Sequence, residues 1–259
     1  MKRKNKFLAF TLSILLLFSA TNSHVSAEHC YHWYIKHTRS SIPLFPPEAE
    51  ALSEYDAYYI DKSAVNNNEK ILYLTFDAGY ENGNIERILD ILKEENVPAA
   101  FFLLDNIILK NTDLVLRMAN EGHLVCNHTK NHKDLSCATE AEITKNLLAL
   151  EKIYEEKCGR QMSKYFRFPE GNYSMESLSI IQKLGYKTIF WSFAYADWDN
   201  NCQPVASKAM RKILDNTHNG AVILLHPTSK TNADILSSLI EEWRKMGYDF
   251  GTLDQLVSK

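Results

Sequence analysis

From residue 71 onward, short apolar runs alternate with longer stretches of helical period. The runs ILYLTF (71–76), AAFFLL (99–104), HLVCN (123–127), YFRF (165–168), KTIFW (187–191), AVILL (221–225) and YDFGTL (248–253) have the length and the β-branched or aromatic content of strands. Between them lie IERILDILKEENV, TDLVLRMANEG, ATEAEITKNLLALEKIYEEKCG, MESLSIIQKLG, PVASKAMRKILDNTHNG and NADILSSLIEEWRKMG. Several of these end in glycine, where a helix C-terminus favours a residue tolerant of positive φ. Strands that alternate with helices predict an α/β fold with a parallel sheet. No G-x-G-x-x-G follows the first strand, so a barrel is expected and not a dinucleotide-binding sheet.

Upstream of that pattern, residues 28–69 are rich in aromatics and prolines. PLFPPE predicts an extended arm, AEALSEY a short helix and NNNEK a loop. They predict an N-terminal extension (28–69) packed on a main domain (70–259). Residues 1–27 have the layout of an export signal: the basic MKRKNK, the apolar FLAFTLSILLLFSA and VSA ending at Ala27. The apolar run Phe7–Ala20 is shorter than the roughly 20 residues that span a bilayer. Cleavage before Glu28 is therefore expected, with an uncleaved anchor as the alternative. Either places the protein in the secreted or cell-envelope compartment.

With 259 residues, 45% hydrophobic, the chain can bury a full core, and a single monomeric domain is expected. A net charge of −3 gives nucleic acid no electrostatic support, and no nucleotide cofactor is indicated. Cys30, Cys126, Cys137, Cys158 and Cys202 are odd in number and without C-x-x-C spacing. They read as structural thiols, with room for one disulfide.

The candidate chemistry lies at the strand ends. NHTKNH places His128 and His132 four residues apart, a spacing too common to mean much alone. In a β/α barrel, however, active-site groups cluster at the C-terminal ends of the strands. Asp77 follows ILYLTF, the histidine pair follows HLVCN and Arg167 lies in YFRF. Asp197 and Trp198 come soon after KTIFW, and His226 directly follows AVILL. Five strand ends thus deliver two acids, three imidazoles and a guanidinium to one rim.

TFDAGYENG, HTKNH, RFPEG, ADW and LLH stand in the order and spacing of the five motifs of the polysaccharide deacetylase family, with its NodB-type domain. From about residue 70 to the end the chain resembles that family. GYENG, EYDAYYI and WSFAYADW are most similar to its sporulation subgroup, the muramic δ-lactam-forming de-N-acetylases of spore cortex peptidoglycan. The resemblance implies a distorted (β/α)7 barrel that hydrolyses the acetamide of an N-acetylated sugar in peptidoglycan glycan strands. By the same resemblance Asp77 is the general base and Arg167 its brace, while Asp197 orients the general acid His226. His128 and His132 hold a divalent ion (zinc, manganese or magnesium). Trp198, Leu224, Pro169 and Gly171 form the substrate-binding surface.

Two positions depart from the family pattern. Ala78 stands where a second aspartate usually completes the metal ligands, so the ion is expected to be weakly held. Glu170 stands where many relatives carry an aromatic or basic residue, and its charge is unfavourable to the lactyl carboxylate of muramic acid. Two other functions stay open: deacetylation of N-acetylglucosamine or chitin-like chains, and glycan binding without turnover. A glycosidase needs two carboxylates flanking the scissile bond and would leave the histidines idle.

Overall fold

The computed structural model describes residues 29–38 and 41–258; the expected export signal lies outside the described residues. The main sheet contains β1 (Ala57–Tyr58), β2 (Ile71–Ala78), β3 (Ala99–Leu103), β4 (Leu124–Asn127), β5 (Tyr165–Phe166), β6 (Lys187–Ile189), β7 (Ala221–Leu225) and β8 (Asp249–Phe250). Its spatial order is β7-β2-β3-β4-β5-β6-β1, and β8 pairs with the start of β2. Every pairing is parallel. No ladder joins the edges β1 and β7; isolated bridges link β7 to the segment after β1, Ile60 with Ala221, and to the segment after β6, Phe193 with Ile223. The result is the expected barrel, distorted and incompletely closed.

All seven expected strands form, and β1 is an eighth. It comes from the expected N-terminal extension, which adds a strand to the barrel sheet by pairing with β6. Two residues are too few to stand out as an apolar run. At the other end, YDFGTL pairs only over Asp249–Phe250 and turns at Leu253 into a short helix.

Besides two five-residue helices, Lys62–Asn66 and Leu253–Val257, seven helices among the described residues pack around the sheet: α1 (Asn84–Glu94), α2 (Asp105–Lys110), α3 (Thr112–Asn120), α4 (Glu140–Cys158), α5 (Met175–Lys183), α6 (Ala206–Asp215) and α7 (Lys230–Lys245). The sequence explains the ends of α4. Thr139 and Glu142 form a reciprocal capping box, and Gly159 closes the helix at φ 65 with its N–H on the Glu155 carbonyl. The six expected helices are present with shifted ends. The brief α2 follows β3 with too few residues to display a period.

Strand alternation sorts the core into two layers. Leu72, Leu74, Phe76 and Ala78 of β2 join Phe101, Leu103, Ile223 and Leu225 in the apolar layer under the helices. The intervening positions, Tyr73, Ala100, Phe102, Cys126, Tyr165 and Val222, pack together as the barrel interior. Each interior series continues toward the C-terminal rim with a polar group: Tyr73, Thr75, Asp77 on one strand; Cys126, His128 on another; Tyr165, Arg167; and Val222, Leu224, His226.

The aromatic arm is fastened to the same rim. Tyr31–His32 pairs antiparallel with Asn172–Tyr173, and the Trp33 indole donates to the Trp191 carbonyl at 3.0 Å. A disulfide joins Cys30 to Cys137 across 107 residues of sequence, the one bridge for which the cysteine count left room. Cys126 and Cys158 are free and buried, and Cys202 is free and exposed. The bridge ties the arm to the segment just beyond His132. No helix among the described residues is long and apolar enough to cross a membrane.

Candidate active site

Arg167 organises the base side of the rim. Its side chain is fully buried, with its guanidinium 4.2 Å from the centroid of the Phe102 ring. Nη1 donates to Asp77 Oδ1 at 2.7 Å, Nη2 to the Thr75 hydroxyl at 2.9 Å and Nε to the Ile189 carbonyl at 2.8 Å. A buried charge needs such a set of partners, since the desolvation it suffers is several kcal/mol in order of magnitude. Burial pushes the Asp77 pKa up, but Arg167, His128 and His226 outweigh it and hold the carboxyl below the usual carboxylate range. Asp77 is therefore ionised and able to take a proton.

His128 lies beside that carboxylate, Nε2 to Asp77 Oδ2 at 3.6 Å. Its Nδ1 faces the Arg167 carbonyl at 2.9 Å, which assigns the proton to Nδ1 and leaves a lone pair on Nε2. Burial is the largest cause that brings its pKa down to about 4, against the attraction of Asp77. A lone pair and a carboxylate oxygen therefore face each other with no proton between them. His132 meets His128 edge to face, ring centroids 5.1 Å apart. The segment between them turns sharply, with Thr129 at φ 69 and His132 at φ 59. The Asn127 carboxamide holds that turn: Oδ1 accepts from the Thr129 N–H, and Nδ2 donates to the Leu147 carbonyl and the Tyr186 hydroxyl.

On the opposite side stands His226. Its Nδ1 bonds Asp197 Oδ1 at 2.7 Å, and its backbone N–H donates to Asp197 Oδ2 at 2.9 Å. Asp197 is fully buried and also accepts from Asn232 Nδ2 at 2.6 Å; the Tyr195 hydroxyl donates to Asn232 in turn. Burial lowers the His226 pKa, but the Asp197 hydrogen bond and charge, with Asp77 behind them, raise it overall against the opposing charge of Arg167. An imidazole whose protonated form is favoured and an ionised carboxylate thus share the same mouth and influence one another's charge.

The substrate-binding candidates divide in two. Trp198 is 59% exposed and meets the His226 ring at 6.0 Å, and Leu224 lies just below that histidine on β7. Pro169 and Gly171 are buried. Gly171 has φ +74, and a Cβ there would come within 2.9 Å of Trp33 and Trp191, so packing already requires a glycine. Between them Glu170 is exposed with φ 57. Asn232, Tyr195 and Thr75 were missed by reading motifs. Thr75 accepts from Arg167, and Asn232 with Tyr195 braces Asp197; Thr75 and Tyr195 stand inside quoted motifs, but nothing in the spacing shows these contacts.

No group of three or more histidine, cysteine or carboxylate side chains among the described residues is arranged to hold a metal ion. The facing acceptors His128 Nε2 and Asp77 Oδ2, with His132 adjacent, nevertheless fit a cation. Ala78 adds no donor; its methyl is buried in the apolar layer.

The geometry and sequence together place this chain in the polysaccharide deacetylase family. The family profile matches residues 64–189. The chain is 34% identical over 250 residues, 95% of its length and 92% of the relative's, to the peptidoglycan-N-acetylmuramic acid deacetylase PdaA of Bacillus subtilis. The structure of that protein, a family 4 carbohydrate esterase, superimposes with a TM-score of 0.83, covering 88% of this chain and 96% of the other. A family 4 carbohydrate esterase of Bacillus anthracis matches at 33% identity and TM-score 0.72, with 89% and 97% covered. A family 4 pseudoenzyme of the same organism shares the fold at 24% identity and TM-score 0.70, over 78% and 68% of the two chains. The fold alone thus does not establish turnover; the paired acid and base must carry that argument.

Proposed function

We propose that this chain removes the N-acetyl group of N-acetylmuramic acid in peptidoglycan glycan strands, the step that precedes muramic δ-lactam formation in spore cortex. The observation that carries the reading is the opposed pair: Asp77 bonded to Arg167, and His226 bonded to the buried Asp197, around one opening. The muramic acid deacetylase among its relatives supports the substrate. Export across the membrane follows from it, since the polymer lies outside the cell.

An amide is a poor electrophile with a poor leaving group. Hydrolysis needs a deprotonated water, a stabilised carbonyl oxygen and a proton for nitrogen. Asp77 accepts the proton of the attacking water, and Arg167 keeps that carboxylate ionised and aimed. His226 delivers its proton to the sugar nitrogen as the C–N bond breaks, and Asp197 retains the imidazole in the geometry that aims Nε2 outward. Positioned acids and bases contribute roughly 10²–10⁴-fold each. His128 and His132 would hold a divalent ion, which supplies polarisation of the acetyl carbonyl when bound. With two imidazoles where catalytic sites usually offer three protein ligands, that ion is weakly held and exchangeable.

Mass spectrometry of glycan fragments after incubation with pure protein and added Zn²⁺, Mn²⁺ or Mg²⁺ tests the proposal. Loss of acetyl from muramic acid, with lactam closure, is expected; only that sugar carries the lactyl group that can close the ring. Loss of acetyl from glucosamine alone would move the assignment to the other sugar. Ala78 favours a second reading, glycan binding without turnover, and absence of acetate release under all three ions would establish it.

A further inference from the structure

The nitrogen that His226 protonates is bonded to the sugar, so the reacting ring must lie against the wall beside His226. This inference rests on the proposed deacetylation. Trp198 occupies that wall. Two residues further on, the Asn200 carboxamide donates to the hydroxyl of Tyr80, itself three residues beyond Asp77. Tyr80 is 44% exposed.

The loop that carries Tyr80 is pinned on the His226 side. Asn82 and Asn84 both donate to the Thr228 carbonyl, at 2.8 and 3.0 Å, two residues after His226. Asn106 donates to the Gly79 carbonyl at 3.2 Å. A single exposed aromatic ring is ordinary. An exposed ring fixed through its hydroxyl, on a loop fixed at three points beside the reacting groups, is less so. Such a ring has given up its rotamer freedom before any ligand arrives, which lowers the cost of binding. A pyranose presents a C–H face to an aromatic ring and keeps its hydroxyls at the rim, and a rigid tyrosine suits that contact.

We propose that Tyr80, oriented by Asn200, is a second sugar platform. It carries the ring next to the one being deacetylated, so that the protein reads a glycan strand and not a single sugar. Tyr80 is then a specificity-determining residue, and Asn200 a positioning residue that acts through it.

The test compares a stem-peptide-free disaccharide and tetrasaccharide of peptidoglycan. Tyr80→Ala is expected to raise KM for the tetrasaccharide about tenfold, as one lost aromatic contact allows, with the loss in KM and not in kcat. The disaccharide is expected to change less than twofold. Tyr80→Phe keeps the ring but frees it from Asn200, and its affinity is expected to fall between alanine and wild type. Equal effects on both lengths, or a phenylalanine no better than alanine, would overturn the platform and leave Tyr80 as a clasp between loops. If the wild type turns over neither oligosaccharide, the hydrolase reading fails on its own. Calorimetric binding of the tetrasaccharide then decides the inference: weakening by about tenfold in Tyr80→Ala supports it, while equal or undetectable binding overturns it.

Discussion

Asp197, beneath the acid, accepts hydrogen bonds from the His226 ring, the His226 backbone and Asn232, and Asn232 is held in turn by Tyr195. Across the rim, His128 leans on a single carbonyl, its neighbour His132 meets it edge to face, and the position that could have added a carboxylate is Ala78. The acid side is braced from several directions, whereas the histidine side is short of donors. Proton transfer demands a fixed geometry at the nitrogen. An exchangeable ion tolerates a looser cradle, since water and substrate oxygen can fill empty coordination positions. Selection for the same reaction can thus keep one half rigid and let the other thin.

The largest effects test the pair that both halves serve. Asp77→Asn keeps the shape and removes the base, and His226→Ala removes the acid; each is expected to lower kcat about a thousandfold. Circular dichroism should show the fold retained in both. Residual turnover within tenfold of wild type in either would mean that the paired residues are not the reacting groups.

A smaller loss, about a hundredfold in kcat, is expected for Asp197→Asn, and its pH profile discriminates more than its size. As the proposed acid His226 must be protonated, and its folded pKa is raised by the Asp197 bond and charge, with help from Asp77 and against burial and Arg167. Activity should therefore persist above the ordinary imidazole value of about 6.5 and fall only as pH climbs through the raised one. Removing the Asp197 charge shifts that alkaline limb to lower pH. An unmoved limb would mean that another group sets it.

The histidine half is probed by metal titration. His128→Ala and His132→Ala should each raise the ion concentration for half-maximal activity about 10–100-fold, the scale seen when even an outer-shell partner is lost. Calorimetry should show the same weakening without turnover. Wild-type protein should lose its ion on dialysis against a chelator; stoichiometric retention would contradict the loose cradle.

The sequence makes the proposed reacting groups legible because strand periodicity and barrel topology leave few places for them. An interior position at a strand's end, occupied by Asp77, His128, Arg167 or His226, is chemistry by location. The supporting residues are illegible for the complementary reason. Asn232 opens a helix, and Tyr195 sits in a loop after β6. Asn232 meets Asp197 across 35 residues of sequence and Tyr195 meets Asn232 across 37, contacts of packing that no spacing encodes. Gly171 shows a further limit: its place in a motif suggests substrate, and the structure adds a packing reason through Trp33 and Trp191 that the motif does not reveal. β1 and the Cys30–Cys137 bridge escaped because each depends on where the N-terminal arm returns to the rim.

The smallest effect on turnover is expected below the rim, and it separates the interior from both halves. Cys126 is fully buried among Tyr73, Phe102, Ile189 and Val222, and burial pushes its thiol pKa well up, so it is a neutral filler and not a nucleophile. Cys126→Ser puts a hydroxyl among those apolar neighbours, and an unsatisfied buried hydroxyl costs about 1–3 kcal/mol. The melting temperature should therefore fall by several degrees, while kcat changes less than twofold. Cys126→Ala, with no polar group to satisfy, should melt higher than the serine variant. If instead Cys126→Ser lowered kcat as far as Asp197→Asn does, the guanidinium resting on Phe102 would be transmitting interior packing to Asp77. The base half would then be the more fragile of the two for reasons unrelated to its missing ligand.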